Sequence, residues 1–260
     1  MTQSISATSS VSSENPTLET SSPEASQALS KDVIFPQGEF WSDEPPLESD
    51  RHRDQIELLI RLLKAWWQER NNFYVTGNLT IYFSPNQKKS EDFRGPDFFV
   101  VLDAEKRDRR SWVVWQEDGK YPNVIIELLS DSTAAVDKGL KKQIYQNTFR
   151  TPDYFWFHPD TLEFKGFHLV DGVYQELEFT PEGWLWSQQL GLYLGILDGK
   201  LRFYTPEKEL VLLPEEAAQQ QLEQTSQQLE QTSQQLERER QRAQHLADQL
   251  RAAGIDPDQV

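Results

Sequence analysis

Two acidic residues in apolar runs constrain this chain more than any other feature. Asp97 precedes the run 98–102, and Glu127 lies within the run 124–129. The second run is apolar on both faces, which is typical of a strand at the centre of a sheet. A carboxylate in such a run is costly to bury as a charge unless it is paired or binds a metal. The sequence therefore predicts a buried polar site on two strands.

A lysine that follows Glu127 in the next expected helix completes this candidate site. Carboxylates on adjacent strands can hold a hard cation such as Mg²⁺ through oxygen ligands. The ammonium of Lys141 can stabilise the charge that develops on a phosphate oxygen. Asp97, Glu127 and Lys141 are thus the candidate catalytic residues, with the two acids as metal ligands, for metal-assisted hydrolysis of a phosphodiester bond.

Each of the three residues also has a simpler explanation. Asp97 is compatible with a turn aspartate that accepts backbone hydrogen bonds. Glu127 is compatible with a buried ion pair to an arginine such as Arg94 or Arg150. Lys141 alone resembles a surface lysine. The catalytic interpretation rests on the three residues falling close together in one strand–strand–helix unit.

Charge and composition divide the chain into three regions. Residues 1–30 are rich in Ser, Thr, Glu and Pro and are expected to form a disordered tail. Residues 31–214 are expected to form the folded domain, and residues 215–260 a long helix. The formal net charge is −16, but residues 51–214 contribute only −3, since they hold 24 acidic and 21 basic residues. The middle region is therefore nearly neutral, unlike the strongly basic domain of a tight nucleic-acid binder.

Several classes of protein are disfavoured by what the sequence lacks. It contains no cysteine, which excludes disulfides and thiolate metal sites. No apolar run approaches the roughly 18 residues that cross a membrane, and the first residues do not resemble a secretory signal. The four histidines show no metal-ligand spacing and are interpreted as structural or exposed. These observations favour a cytoplasmic protein.

Periodicity predicts alternating helices and strands in the middle region. Apolar residues recur at helical spacing over 54–68, which predicts a helix. Residues 73–83 are expected to form a strand or a hairpin that turns near Gly77-Asn78. A second helix is expected to end near Phe149, and a hairpin to turn at Asp171-Gly172. Further strands are expected at 97–102, 112–115, 123–129 and 153–157. This order predicts an α/β sandwich with a mixed central sheet flanked by helices, plus a long C-terminal helix.

The C-terminal region contains a repeat with a period of seven residues. The heptad 220–226 recurs as 227–233, and a third copy begins at Gln234. A heptad leucine suggests a coiled coil, but the companion seam positions, such as Thr225 and Thr232, are polar. Two interpretations stay open, namely a weakly self-associating coil that would make a homodimer, and a long solvated helix that binds another protein.

The spaced motifs of the middle region occur in a recognisable order. They are Pro96-Asp97, the strand end from Glu127 through Ser130 to Thr133, the helix pattern Asp137…Lys141…Tyr145, and Pro152-Asp153-Tyr154-Phe155-Trp156. Over roughly residues 33 to 213, this order resembles the Uma-type family of bacterial proteins. Those are restriction-endonuclease-like proteins of the PD-(D/E)XK nuclease superfamily. The resemblance implies a restriction-endonuclease-like fold and nuclease activity.

The resemblance also assigns roles to individual residues. It makes Asp97 and Glu127 the metal-binding acids and Lys141 the catalytic lysine, with Ser130 and Tyr145 in support. One departure is Leu129, which stands where a Glu-x-Lys motif has its lysine, so the lysine role passes to the helix. The other is Asp153, where the family usually has Glu. The first helix is a further source of an acid, and Glu57 is the best placed.

Two functions remain open from the sequence. The first is an endonuclease that hydrolyses DNA with Mg²⁺, using Asp97, Glu127 and Lys141. The second is a non-catalytic interaction protein that retains the fold and works through its C-terminal helix. The basic loop 106–110 is compatible with phosphate contacts and equally with a solvated turn.

Overall fold

The structure is a computed structural model that describes residue 42 and residues 49–83 and 93–254. Three helical regions occur within these ranges. They are α1 (Asp50–Trp66), α2 (134–149, built from Ala134–Val136, Asp137–Lys141, Lys142–Ile144 and Tyr145–Phe149) and α3 (Pro214–Ala252), and a short 3₁₀ turn covers Val114–Gln116. The expected disordered tail at 1–30 and most of the segment 31–48 lie outside the described residues.

Twelve strands occur in the same ranges. They are β1 (Phe73–Thr76), β2 (Ile81–Tyr82), β3 (Phe93–Arg94), β4 (Phe98–Leu102), β5 (Trp112–Val113), β6 (Val124–Leu128), β7 (Asp153–Phe157), β8 (Phe164–Val170), β9 (Val173–Glu176), β10 (Leu185–Ser187), β11 (Leu192–Leu197) and β12 (Lys200–Tyr204).

The main sheet has six strands in the order β1-β4-β6-β7-β8-β9. Strands β6 and β7 are parallel, and the other neighbours are antiparallel. All five residues of β6 are buried, as expected for a strand that is apolar on both faces. The mixed central sheet predicted from the sequence is confirmed.

Alternation along β6 divides its side chains between two cores. Ile126 and Leu128 pack in a core that includes residues of α1 and of the sheet β10-β11-β12. Ile125 and Leu129 pack in a second core that includes residues of α2, β2 and β5. Since side chains of a strand alternate, Glu127 points to the α2 side. The sandwich therefore has three layers. The main sheet lies in the middle, α1 and the sheet β10-β11-β12 cover one face, and α2 and the sheet β3-β2-β5 cover the other.

Two expected hairpins have different outcomes. The turn at Asp171-Gly172 joins β8 and β9, with φ values of 50° and 85°, so that prediction is confirmed. The hairpin expected within 73–83 is wrong, because β1 pairs with β4 whereas β2 pairs with β3 and β5. The chain at Gly77 leaves the main sheet instead of folding back on β1.

The helix α3 confirms the long C-terminal helix. Glu216 in its first turn forms two hydrogen bonds with the buried Arg202, of 3.0 and 2.7 Å, and accepts a third from the backbone N–H of Leu213. Arg61 of α1 pairs with Glu215 at 2.5 Å. None of the 39 residues of α3 is buried. The helix is thus held to the domain at its base alone.

The first three leucines of the heptad stripe of α3 are exposed. Leu222, Leu229 and Leu236 are all largely exposed. Thr225 and Thr232 each donate a hydrogen bond of 2.8 Å to a carbonyl of their own helix, so their hydroxyls do not require an outside partner. The coiled coil stays a prediction. No helix within the described ranges is both long and apolar enough to cross a membrane.

Truncation of the chain after residue 220 should leave the melting temperature of the domain unchanged. The removed part of α3 buries no residue, so its loss removes no core contact. Thermal unfolding followed by aromatic circular dichroism measures this. Sedimentation of the same two proteins shows whether the helix self-associates, since a coil that holds a dimer would be lost in the truncated chain.

Glu216→Ala in the full chain is the matched control. It leaves the guanidinium of Arg202 buried without its carboxylate, at a cost of about 1–3 kcal/mol in the free energy of unfolding. A truncation that destabilises the domain as much as Glu216→Ala would show that α3 contributes to the fold beyond its first turn.

Candidate active site

The two acids found in the sequence lie opposite one another on β4 and β6. These strands pair Phe98 with Ile126, so the residue before Phe98 faces the residue after Ile126. The backbone N–H of Asp97 donates to Oε2 of Glu127 at 3.3 Å, and the N–H of Leu128 donates to Oδ2 of Asp97 at 2.7 Å. Each carboxylate therefore accepts a hydrogen bond from the strand that carries the other.

A tight turn fixes the backbone of Asp97. Its carbonyl oxygen accepts a 3.1 Å hydrogen bond from the N–H of Asn78. A Cβ atom at Gly77 would lie 2.3 Å from the same oxygen, which is far inside van der Waals contact. Only glycine permits this approach. The segment predicted as a hairpin thus serves to position the first acid.

The helical segment α2 supplies the groups that meet Glu127. The Nζ atom of Lys141 lies 3.2 Å from Oε2 of Glu127 and 2.8 Å from Oδ1 of Asp137. The hydroxyl of Tyr145 donates to Oε1 of Glu127 at 2.6 Å. Asp137, Lys141 and Tyr145 are spaced by four residues and share one helix face. Two π turns in α2 cover this stretch, and such turns are frequent at functional sites.

The cluster formed by Asp97, Glu127, Asp137, Lys141 and Tyr145 holds more acidic than basic groups. Glu127 is 0% exposed and Asp137 1%, whereas Asp97 is partly exposed. Burial, opposed by the ammonium of Lys141, raises the pKa of Glu127 well above its usual value, and the charges of Asp97 and Asp137 raise it further. Burial likewise raises the pKa of Asp97. Three carboxylates with one ammonium leave negative charge uncompensated, which favours an added cation.

Lys141 and Tyr145 are held in their protonated forms. Burial alone would lower the pKa of Lys141, but the charges of Glu127, Asp137 and Asp97 outweigh it and raise that pKa. Lys141 is therefore an ammonium at neutral pH and donates hydrogen bonds. Burial and the adjacent Glu127 raise the pKa of Tyr145 well above its usual value, so its hydroxyl also acts as a donor.

The structure brings together most of the residues selected from the sequence. Asp97, Glu127, Lys141 and Tyr145 are connected by the contacts above. Glu127 pairs with Lys141, so the alternative of an arginine partner is wrong.

Two supporting candidates lie elsewhere. The hydroxyl of Ser130 lies 2.9 Å from that of Ser132 and 3.0 Å from that of Thr133, so it shapes the turn from β6 into α2. Glu57 is exposed on α1, and α1 packs on the other face of the main sheet. Among the described residues, Glu57 makes no contact with the cluster.

Two residues at the cluster were not among the sequence candidates. Asp137 enters the sequence analysis only as part of the helix pattern Asp137…Lys141…Tyr145, without a role, although its four-residue spacing from Lys141 indicates that the two side chains meet. His52, at the start of α1, lies with Nε2 3.2 Å from the carbonyl oxygen of Leu128. No local pattern indicates that contact, because it depends on how α1 crosses the end of β6.

Leu129 explains why the lysine comes from a helix. It lies two residues after Glu127, on the same face of β6, and is fully buried in the α2-side core. An ammonium there would have to replace apolar packing. Lys141 reaches the same carboxylate from α2 and keeps its side chain 20% exposed.

The basic loop 106–110 has an internal partner. Arg109 forms hydrogen bonds of 2.7 and 2.9 Å with the carboxylate of Glu117, and Arg107 binds the same group at 2.6 Å. The Arg109 guanidinium also lies over the rings of Tyr74 and Trp112. Arg109 is therefore a structural residue, neither a phosphate contact nor part of a solvated turn.

Comparison with known proteins agrees with the motif order. The profile of a family described as "Uma2: Putative restriction endonuclease" matches residues 24–197, about two thirds of the chain. The chain belongs to the Uma2 family. Its matched region contains β1–β11, α1 and α2, and therefore every residue of the cluster.

Other comparisons add little to the Uma2 assignment. None of the curated proteins matches the chain. One solved structure, titled a putative nuclease belonging to DUF820 from Anabaena variabilis ATCC 29413, is 12% identical with a TM-score of 0.42. The match covers 56% of this chain and 76% of that one. At this level of likeness, no conclusion about the Uma2 chain rests on it.

The stability of the protein should fall as the pH rises above the usual pKa of a carboxyl group, about 4. Glu127 and Asp97 have raised pKa values in the folded state, so the unfolded chain binds fewer protons above that pH. Glu127→Gln removes one such group. The decrease in melting temperature between pH 5 and pH 8 should therefore be smaller in this variant than in the wild type.

Glu57→Gln is the matched control for this experiment, because Glu57 is exposed on α1. It should follow the wild-type pH dependence. If Glu127→Gln also follows it, then Glu127 does not carry the buried charge that the cluster requires.

Proposed function

We propose that this protein is a Mg²⁺-dependent endonuclease that hydrolyses phosphodiester bonds in DNA. Family membership supports a nuclease. The observation that carries the proposal is the meeting of Asp97, Glu127 and the Lys141 ammonium at one point, with Lys141 held between Glu127 and Asp137. A bound metal and a fixed positive charge both accelerate the hydrolysis of a phosphodiester by stabilising the charge that develops on it, and this arrangement offers a site for each.

The donor set of the cluster fits Mg²⁺. This ion prefers oxygen ligands and is commonly held by one or two carboxylates, with waters and substrate phosphate completing its shell. In the described part of the chain, no group of three or more His, Cys, Asp or Glu residues forms a metal site. Two carboxylates are nevertheless sufficient for this mode of binding. The excess negative charge around Glu127 supports the same fit.

A cation would reach the cluster from the side on which Asp97 lies, because that carboxylate is partly exposed. Glu127 is fully enclosed, and its two oxygens already accept from Tyr145, Lys141 and the Asp97 N–H. Asp97 is partly exposed. We therefore assign Asp97 as the principal ligand and Glu127 as the ligand behind it. Bound Mg²⁺ would polarise the phosphate and lower the pKa of a coordinated water.

The remaining residues act as donors and supports. Lys141 stays protonated, so it can stabilise charge on a phosphate oxygen or orient the attacking water, and it does not serve as a general base. Tyr145 holds Oε1 of Glu127 and so fixes its carboxylate plane. Asp137 holds Lys141 from the other side. The chain thus orients the reacting groups before the substrate binds.

The exposed leucine stripe of α3 favours a second candidate function. An interaction protein would use α3 to form a homodimer or to bind another protein, and its nuclease-like cluster would be inactive. Binding through α3 by itself, without loss of the cluster's activity, is also compatible with the nuclease. For either function we propose a cytoplasmic location.

Lys141→Ala and Lys141→Gln should reduce cleavage of plasmid DNA in Mg²⁺ by roughly 10²–10³-fold, the usual effect of losing one preorganised donor. Mg²⁺ affinity, measured by calorimetry, should persist, because Lys141 is not a ligand. Asp97→Asn should instead abolish both cleavage and metal binding.

Lys138 and Lys142 provide matched controls on the same helix. Lys138 pairs with Glu163, and the Nζ atom of Lys142 lies over the ring of Phe167. Alanine at either position should change cleavage only slightly. Equal losses at all three lysines would indicate general attraction of DNA and would contradict the assignment of Lys141. Wild-type protein that neither binds Mg²⁺ nor cleaves DNA would refute the nuclease.

A further inference from the structure

Both backbone polar groups of Leu128 are bonded to side chains at the candidate site. Its N–H donates to Oδ2 of Asp97 at 2.7 Å. Its carbonyl oxygen lies 3.2 Å from Nε2 of His52, which belongs to α1. His52 is 8% exposed. A histidine from the opposite face of the main sheet therefore reaches the end of β6, next to Glu127.

The hydrogen bonds around His52 define its tautomer. A carbonyl oxygen only accepts, so Nε2 carries the hydrogen and donates it to Leu128. In the neutral ring Nδ1 is then an acceptor, and the hydroxyl of Ser49, 2.9 Å away, donates to it. The Ser49 oxygen in turn accepts from the backbone N–H of His52 as the N-cap of α1. The ring is thus fixed through both of its nitrogens.

The strand opposite Leu128 explains why a side chain is needed there. Continuing the register of β4 and β6 by two residues places Pro96 across from Leu128. Paired residues in antiparallel strands exchange N–H and C=O groups, but proline has no N–H. Pro96 therefore cannot donate the ladder bond to the Leu128 carbonyl, and the ring of His52 supplies a donor there, while the Leu128 N–H donates to the carboxylate of Asp97.

We propose that His52 is a positioning residue that orients the backbone of Leu128 and, through it, the carboxylate of Asp97. The inference rests on the proposed nuclease function. The carbonyl and the N–H of Leu128 belong to two successive planar peptide groups joined at its Cα atom, so bonds at both groups together restrain the φ and ψ angles of Leu128. The Leu129 N–H still donates to the Phe157 carbonyl at 2.7 Å, so loss of His52 loosens Leu128 without freeing β6. The Leu128 N–H then holds Asp97 less firmly in one place. His52 itself does not contact the substrate.

Three substitutions at His52 separate this role from simple packing. The amide nitrogen of Gln reaches the position of Nε2, whereas that of Asn reaches only the position of Nδ1. His52→Gln should therefore retain most of kcat. His52→Asn and His52→Ala should lower kcat about tenfold or more, with little change in KM for DNA, because the groups are misplaced and DNA binding is not lost.

Gln55→Ala is the control for loss of stability. Gln55 is buried on the same helix and exchanges two 2.9 Å hydrogen bonds with the backbone of Leu201, far from Leu128 in the chain. It should lower the melting temperature at least as much as His52→Asn and leave kcat near the wild-type value. If kcat follows the melting temperature across all four variants, His52 has only a structural role.

Hydrogen exchange of the Leu128 amide provides a readout that does not require activity. The amide should be protected in the wild type and in His52→Gln, and should exchange at least tenfold faster in His52→Asn and His52→Ala. Equal protection in all variants would overturn the proposal. If the wild type fails to cleave DNA, the nuclease function is refuted. The exchange data then still decide whether His52 fixes the Leu128 peptide.

Discussion

The ion pair between Glu127 and Lys141 is the interaction on which the centre of the structure depends. Glu127 stands in the middle of the main sheet, where an isolated carboxylate would be too costly to bury. Lys141 and Tyr145 of α2 satisfy it, so α2 must dock over β6 in one register. Asp97 is brought to the same point by β4. The requirement to pair one buried charge thereby fixes a helix, two strands and the geometry of the site.

A second buried acid shows how a structural carboxylate differs from those of the cluster. Asp153 is as buried as Glu127, but it accepts from Ser187 at 2.6 Å and the Gln189 N–H at 2.9 Å, and it lies 2.7 Å from Nδ1 of His168. These contacts connect β7 to β8 and to the β10 region, and no other carboxylate is among them. Glu127 instead shares one ammonium with a second carboxylate. Uncompensated charge, and not burial alone, distinguishes the acids of the candidate site.

The sequence was sufficient where the signal was local. Alternation and the apolar run 124–129 located β6 at the centre of the sheet, and the four-residue spacing in α2 located Lys141 and Tyr145 on one face. The errors concern contacts between distant segments. The chain at Gly77 packs against the backbone of Asp97 and does not fold back as a hairpin. On α1, His52 lies at the candidate site whereas Glu57 faces solvent. Both depend on how packed elements cross, which no spacing along the chain encodes.

The attachment of α3 has a mechanical consequence. Its 39 residues extend about 58 Å at 1.5 Å per residue. The charged contacts of its first turn join this rod to α1 and β12, two elements that are themselves packed in the core. A rod clamped at one end transmits torque as well as tension, so force applied at the tip bears on α1. Because α1 also carries His52, a force applied at the far end of α3 would act on the helix that contacts the backbone next to Glu127.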